Sequence, residues 1–585
     1  MPSDWCSKDF TKRPSFDFSG IDNAIDVFMK HLHLSEKGRK EKFQIIVDSD
    51  LDGICSSTIV YKFLYAFYPE VETVFSLHSG KQHGLSKDIK IENDTTLVIC
   101  PDAASNDIEQ CNALYERGVD VICLDHHIIE RPNPHAAIVS CMDGVYPNQN
   151  LCGTAVTWLF LSALSTKDRM DCMLENWLDL VAVATISDVM QVTNEDNMFF
   201  IQNGLKNINS RVLKTFLQQN EVSLNNVTIE HIKFKVSPLI SAMIRMGTAE
   251  EKNLLFRAFI DDYEEFDYEK RGSFDIVVEN IYERAVRLCK NAKSRQDRAK
   301  KKLLDECEIH EYPCIILVEY SADKPSTLTG LVANEIANEY CKPCIVYRAS
   351  SSNSTSNSED TEYTGSIRNY DGSPIFSFKA ALEFAFDGAY SVQGHDNAAG
   401  IMFNNISPDE FADKFEAALF SSGWEAETDI PDVAIGEKLY EVDFEVDAEN
   451  IDIGFVRIMS EFDNYSGFGF PQVTALVKGI KVSQENFKTM GKNTFNWKIL
   501  DDDANVSYVK FRVDRERDEL IQKFDDLDFG FTSYDDTCYV LNAICSFGLN
   551  IYNGEIYAQG IIKDYEITGE YKKEVDFDDD IDLEF

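Results

Sequence analysis

The 585-residue chain is short of positive charge: 56 Lys and Arg stand against 100 Asp and Glu, for a formal net charge of −44. That balance is awkward for a nucleic-acid protein, because gripping a polyanion needs Lys and Arg. Long apolar runs are missing too. No stretch reaches the length of about 18 residues that a membrane span needs, so no membrane partner is expected. The opening stretch MPSDWCSKDFTKRPSF lacks a signal-peptide core. The 15 cysteines are odd in number and scattered, which points to reduced thiols in a cytoplasm. The one CxxC, Cys341-Lys-Pro-Cys344, lies at an expected helix-to-strand turn. With no second pair to complete a zinc site, it reads as structural.

What is present is ample core. Hydrophobic residues make up 44% of the chain, and the usual domain size allows about three to four domains. Residues 40–190 alternate apolar strands with helical segments: FQIIV, TLVICPD, VDVICLDHH, GTAVTWLFLSAL and WLDLVAVATISDV. That βα alternation predicts a mainly parallel sheet. Residues 195–265 read as helical, and 275–307 as a long polar helix between modules. A second α/β unit follows, with strand CIILVEY (314–320), helix LTGLVANEIANEY (328–340) and strand PCIVYR (343–348). The stretch ASSSNSTSNSED (349–360) is low in complexity and reads as an exposed loop. Residues 430–570 are rich in strands and turns, which suits a small β-barrel.

One short stretch poses the functional question. In QIIVDSDLDGICSS, residues 44–57, Asp48, Asp50, Asp52 and Gly53 match the opening of a calcium-binding EF-hand loop. That loop needs a helix on each side and a bidentate Glu at its twelfth position. Counted from Asp48, the twelfth position is Ile59, and the preceding segment Phe43-Gln44-Ile45-Ile46-Val47 reads as a buried strand. The acids therefore sit on a strand-to-helix turn, where ligands bind in open α/β sheets.

Three further motifs follow apolar segments read as strands: Asp102 after LVIC-Pro101, Asp125-His126-His127 after VDVICL, and Asp188 after VAVATIS. Singly, each Asp reads as a helix cap. Together they bring at least five carboxylates and two histidines to one sheet edge. Carboxylates crowded in this way repel one another. Divalent metals resolve that cost, and a mixed carboxylate and imidazole set suits Mn²⁺, with Mg²⁺ possible. Two such ions clamp a phosphoryl group.

This set, in this order, resembles the DHH phosphoesterase superfamily, and within it the RecJ single-strand exonucleases, over roughly residues 40–570. The resemblance implies that Asp50, Asp52, Asp102, His126 and Asp188 hold two metal ions, with Asp102 bridging. Asp48 joins or supports the first ion, Asp125 orients His126, and His127 contacts phosphate or the leaving group. TGSIRN (364–369) and QGHDNAAG (393–400) resemble substrate-gripping segments of the DHH-associated domain, DHHA1. By that likeness Ser366, Arg368, Gly394 and His395 bind the substrate phosphate. FKVSPLISAMIRMG (234–247) resembles the RecJ segment that sets an Arg beside the scissile phosphate, here Arg245. Ser241 and Gln393 depart from the family pattern, which usually has Asn and Gly. SGFGFP (466–471) and NIYNGEIYAQGIIKDYEI (550–567) are landmarks of a RecJ-type OB domain.

The implied organisation is a DHH parallel-sheet domain (1–265), a basic connecting helix (266–312), a DHHA1 α/β domain (313–425), an OB-like β-barrel (426–570) and an acidic tail (571–585). The implied activity is 5′→3′ hydrolysis of single-stranded DNA to nucleoside 5′-monophosphates, in the cytoplasm of a bacterial cell or a phage-infected host. Ile46 bears on this. Pyrophosphatases and cyclic-dinucleotide phosphodiesterases of the superfamily carry a His ligand at that position, so an apolar residue there favours nucleic-acid hydrolysis. Two alternatives stand beside it: a phosphodiesterase for short oligonucleotides or cyclic dinucleotides, which the charge favours, and a metal-free replication scaffold, which the complete ligand set opposes.

Two surfaces are expected to meet partners. Residues 284–302 carry nine Lys or Arg and one Asp, so Arg295 and Arg298 are expected in a DNA channel. Phe495, Trp497, Tyr508 and Phe511, beside Lys498, Lys510 and Arg512, suit base stacking or ordinary barrel core. The tail EVDFDDDIDLEF (574–585) has seven acids among its twelve residues and ends in Phe585. It reads as a solubiliser or as a docking tip for replication or repair proteins, with Asp578, Asp579 and Asp580 steering.

Overall fold

The computed structural model describes residues 8–80, 82–168, 173–269, 276–321, 326–349, 362–387, 390–404, 406–420, 435–436, 438–491, 495–501, 506–513, 515, 517–528, 537–552 and 555–572. Residues 573–585 of the acidic tail and nearly all of the low-complexity stretch 349–360 lie outside the described residues.

The first domain is built on five parallel strands: β1 (Lys42–Val47), β2 (Glu72–Leu77), β3 (Leu97–Pro101), β4 (Asp120–Asp125) and β5 (Ala137–Ser140). Their order is β2-β1-β3-β4-β5. Strands β1 and β3 are buried along their whole length, as continuous β-branched runs in a covered parallel sheet should be. Helices α1 (Ile21–Glu36), α2 (Leu51–Phe67), α3 (Ile108–Glu116) and α4 (Gly153–Asp168) accompany the sheet. Trp158 and Phe160 of α4 are fully buried in the core, and side chains of that kind each contribute about 1.5–3 kcal/mol by leaving water.

VAVATIS, read above as a strand, lies instead in helix α5 (Leu178–Ser187). Residues 178–186 are all buried. A segment apolar on every side has no period to separate strand from buried helix. The expected helical region holds α6 (Glu195–Lys206), α7 (Arg211–Gln218), α8 (Ser237–Met246) and α9 (Ala249–Phe259). A hairpin, β6 (Glu265–Glu269) with β7 (Ile276–Asn280), precedes the long helix α10 (Ile281–Glu306). Asn280 caps α10 reciprocally with Glu283. Its apolar stripe, Ala285, Val286, Cys289 and Ala292, is buried in the first domain's core.

The second sheet has the order β12-β13-β11-β10-β9-β8. Its strands are β8 (Glu308–Glu311), β9 (Ile316–Glu319), β10 (Cys344–Ala349), β11 (Glu362–Arg368), β12 (Ser391–His395) and β13 (Ala398–Asn404). Only β9 and β10 pair in parallel, linked by α11 (Thr329–Tyr340). Cys341 ends α11 in the left-handed conformation and Cys344 opens β10, so the CxxC is the expected helix-to-strand turn.

The C-terminal β-rich region differs from the expected small barrel. It is a seven-stranded sheet, β14 (Phe444–Asp447), β15 (Ala475–Val482), β16 (Phe487–Met490), β17 (Phe495–Asp501), β18 (Val506–Val513), β19 (Thr537–Tyr552) and β20 (Glu555–Lys572). The order is β14-β15-β19-β20-β18-β17-β16, with β14 and β16 at the edges among the described pairings. Its core includes Trp497 and Tyr508. Of the aromatics expected to stack on bases, those two are therefore core and Phe511 is exposed, while the side chain of Phe495 lies outside the described residues. A loop from this region reaches the first domain. The Phe468 carbonyl accepts from Val192 N at 2.9 Å, and Phe470 joins the first domain's core.

Candidate metal centre

The carboxyl ends of β1, β3 and β4 and the C-terminus of α5 converge on one cluster. Asp50 caps α2, accepting from Gly53 N at 2.8 Å. Burial, then the charges of Asp48 and Asp52, push its carboxyl up to about 6. Asp52 faces the start of α4 and takes Gly153 N at 2.6 Å, Thr154 N at 2.8 Å and the Thr154 hydroxyl at 2.5 Å. It is thus a ligand candidate and also the acceptor for the first N–H groups of α4.

Asp102 sits at the centre. It is 1% exposed, and its backbone is left-handed at φ +69°. That conformation is uncommon for a residue with a side chain and clusters at functional sites. Neither Asp102 oxygen meets a hydrogen-bond donor. The nearest basic side chain, His126, places Nε2 3.2 Å from Oδ1 without hydrogen-bonding geometry. Burial and four neighbouring aspartates raise the Asp102 carboxyl well above its ordinary range. Gly153 makes room for it: a Cβ there would fall 2.3 Å from Asp102 Oδ1. Asp188 ends α5, also with an orphaned oxygen, and burial followed by Asp52 and Asp50 raises it strongly. His126 Nε2 is 3.6 Å from Asp188 and 3.9 Å from Asp52. Burial lowers its pKa, which keeps the imidazole neutral.

Asp125 departs from the expectation. The ring it holds belongs to His127, through Nδ1 at 2.8 Å, and not to His126. To His126 it offers only a backbone contact, at 2.8 Å. Burial alone would raise the Asp125 carboxyl, but the His127 ring overcomes that and holds it below the ordinary range. The same bond lifts His127 to about 9. A ring two residues along the chain turns back onto its own strand end, and spacing alone does not reveal which of two adjacent histidines does so.

His83 belongs to the cluster and was not foreseen. Its Nδ1 lies 2.5 Å from Asp48 Oδ2, and Asp48, Asp50 and His83 bring one donor atom each within 4.8 Å of one another. The available signal was its place in SGKQHGLS, just after β2, the strand that flanks β1.

The predicted phosphate-gripping residues fall in two groups. Arg245 on α8 is desolvated, which lowers its pKa. Arg368 at the end of β11 is lowered by burial and then by the charge of Arg245. Guanidiniums from the two α/β domains thus come near enough to feel each other's charge. Gly330 leaves space there, since a Cβ would fall 2.5 Å from Arg368 Nη2. Ser366 Oγ lies 2.8 Å from Thr329 Oγ1. Gly394 has φ +132° and His395 is exposed at the end of β12.

Of the two arginines expected in a DNA channel, Arg295 is instead engaged within the protein. Arg295 donates to Glu251 at 2.6 Å and to the Met246 carbonyl at 3.2 Å, tying α10 to α9 and to the end of α8. Arg284 and Arg287 hold Glu279, and Lys290 donates to the Gln219 carbonyl at 2.9 Å. Lys293, Lys300 and Lys302 pair with Asp297, Glu335 and Glu306. Only Arg298 and Lys301 show no partner among the described residues. In a chain this rich in acid, most cations of a helix find carboxylates nearby.

The donor set fits divalent cations. Buried, orphaned carboxylate oxygens beside a neutral imidazole are costly without a positive charge and are satisfied by one. A parallel α/β sheet with such an edge defines the class, and similarity to known proteins then places the chain within it. The DHH family, N-terminal domain, matches residues 42–185. Over 578 residues the chain is 30% identical to YorK, a candidate single-strand DNA-specific exonuclease of the SPbeta prophage in Bacillus subtilis (strain 168), covering 96% of this chain and 92% of that protein. The single-stranded-DNA-specific exonuclease RecJ of Bacillus subtilis is 23% identical over 354 residues, 58% of this chain and 41% of that protein. The fold matches that of RecJ from Thermus thermophilus, solved with Mn²⁺, at a TM-score of 0.66 and 17% identity over 95% of this chain and 73% of that one. The chain belongs to the DHH family, on its RecJ-like branch.

No helix among the described residues is long and apolar enough to cross a membrane.

Proposed function

We propose that this protein is a metal-dependent exonuclease that hydrolyses single-stranded DNA from the 5′ end and releases nucleoside 5′-monophosphates, inside a bacterial cell or a phage-infected host. The observation that carries the reading is Asp102: a buried carboxylate with both oxygens orphaned, ringed by Asp52, His126 and Asp188. The likeness to YorK along nearly the whole chain supplies the substrate class.

In this reading Asp50, Asp52, Asp102, His126 and Asp188 would hold two Mn²⁺ or Mg²⁺ ions, with Asp102 shared by both and Asp48 in support. Bound there, the ions supply Lewis acidity and a lowered pKa for water. The remaining groups do what their surroundings allow. His127, kept protonated by Asp125, presents a positive charge toward the phosphate or leaving oxygen. Arg245 and Arg368, desolvated and unpaired with acid among the described residues, grip phosphate by their planar forks. Ser366, Gly394 and His395 complete the phosphate site in this reading.

The domains divide the work as 1–265 for the metal centre, 266–312 for the connection, 313–425 for phosphate binding and 426–570 for strand binding. The neutralised basic helix favours a second reading, a phosphodiesterase of short oligonucleotides.

One experiment tests both. The protein is incubated with Mn²⁺ and end-labelled single strands of both polarities, in a length series. Nucleotides released from the 5′ end of long strands support the first reading. Cleavage of dimers alone supports the second, and no metal-dependent cleavage overturns both.

A further inference from the structure

The imidazole donors of the centre do not all come from the Asp125-His126-His127 segment. His126 lies toward Asp102, Asp52 and Asp188. At the other end of the cluster, β1 contributes no histidine, since Ile46 is buried in apolar surroundings. The gap is filled from outside. The connection after β2 brings His83 Nδ1 to 2.5 Å from Asp48 Oδ2, and His83 shares a 4.8 Å donor cluster with Asp48 and Asp50.

This placement is held from both sides. Lys252 donates to the Ser79 and Gly80 carbonyls, at 3.0 Å each. Just after His83, Gly84 N donates to Asp48 Oδ1 at 2.9 Å and Leu85 N to Asp107 at 2.7 Å. Gly84 has φ +60°, and a Cβ there would fall 2.3 Å from Asp107 Oδ2, so the turn requires glycine. A segment pinned at residues 79, 80, 84 and 85 sets the imidazole between them toward the acids.

We propose that His83 is a ligand of the ion held by Asp48 and Asp50, so that each of the two ion positions carries one imidazole. This rests on the metal-dependent reading above. It has a consequence for selectivity. Mg²⁺ prefers hard oxygen donors in near-ideal octahedral geometry, whereas a nitrogen donor at each position favours Mn²⁺.

The test uses the full-length, ion-free protein. Mn²⁺ binding is followed by calorimetry and by pulsed electron paramagnetic resonance, which reads ligating nitrogen directly, and Mg²⁺ competes in a second titration. The wild type should bind two Mn²⁺, both with nitrogen coupling. His83→Ala should lose coupling at one position and bind Mn²⁺ there about tenfold or more weakly, with a smaller loss for Mg²⁺. His126→Ala should lose the coupling at the other position. His83→Gln, of similar reach without the ring, should behave as His83→Ala; thermal melts report that both variants fold. Wild-type affinity and nitrogen coupling in His83→Ala would overturn the proposal while leaving the metal-dependent reading intact. A wild type that binds no Mn²⁺ would overturn both.

Discussion

The two edges of the first sheet treat the same residue types in opposite ways. At the amino ends of β1 and β4 the charged residues that open the strands are matched. Lys42, the first residue of β1, contacts Glu72 at 3.0 Å and Asp94 at 3.2 Å, while Asp120, the first residue of β4, takes His31 Nε2 at 2.8 Å and Lys30 Nζ at 2.5 Å. His31 in turn meets Glu41 at 2.6 Å. At the carboxyl ends Asp102 and Asp188 keep orphaned oxygens at the cost of strongly raised pKa values. Burying an unmatched charge is expensive, so a fold that satisfies one edge and leaves the other wanting has reserved that edge for a ligand. Helix α10 teaches the same lesson from the other side: cations that looked available in sequence are consumed by structure.

The largest expected effect breaks the unsatisfied edge at its centre. Asp102→Ala should lower hydrolysis of single-stranded DNA about a thousandfold, about 4 kcal/mol of barrier. It should also raise the melting temperature of the ion-free protein by removing a repelling carboxylate. Activity near wild type, or a lower ion-free melting point, would mean that Asp102 is an ordinary structural acid.

Asp52 sharpens the contrast because it belongs to both kinds of site. Asp52→Ala should abolish activity and also destabilise the first domain by about 2–4 kcal/mol, since the N–H groups of Gly153 and Thr154 lose their acceptor. Chemical denaturation compares it with Asp102→Ala. Equal stability changes in the two variants would erase the distinction.

On α10, Arg295→Glu sets two acids together and should cost about 1–2 kcal/mol in the same assay. Arg298→Glu, at an exposed position, should leave stability unchanged and flatten the salt dependence of DNA binding by about one phosphate contact. The reverse outcome would restore Arg295 to a binding channel.

The smallest effect tests the satisfied edge. His31, aided by Lys30 and against the pull of burial, holds the Asp120 carboxyl down at about 2. A depressed carboxylate pKa adds stability that is fully present above the unfolded value near 3.9 and is lost as pH falls through about 2. Asp120 is partly solvent-screened, so the contribution is about 1 kcal/mol. Asp120→Asn should remove it at neutral pH and leave a flatter acid unfolding curve between about pH 4 and 2. An unchanged curve would show that the pairing contributes nothing.

What the sequence by itself determined is what local physics writes into it. Apolar runs ending in Asp48, Asp102 and Asp125 marked a ligand edge, because strands of a parallel sheet present their carboxyl ends together. The polar stretch with a buried stripe every three to four residues became α10. The order of the motifs was enough to indicate the family. Tertiary structure alone decided everything that depends on neighbours distant in the chain. Sheet order brought His83 beside Asp48, and the meeting of two domains set Arg368 within reach of Arg245. Packing turned a uniformly apolar segment into α5, gave Asp125 to His127, and set Arg284, Arg287, Arg295 and Lys300 of the basic helix against acids from other elements. Periodicity and turn chemistry act within a few residues. Partnership between charges and between rings is settled only when the chain has folded and burial makes each unmatched group costly.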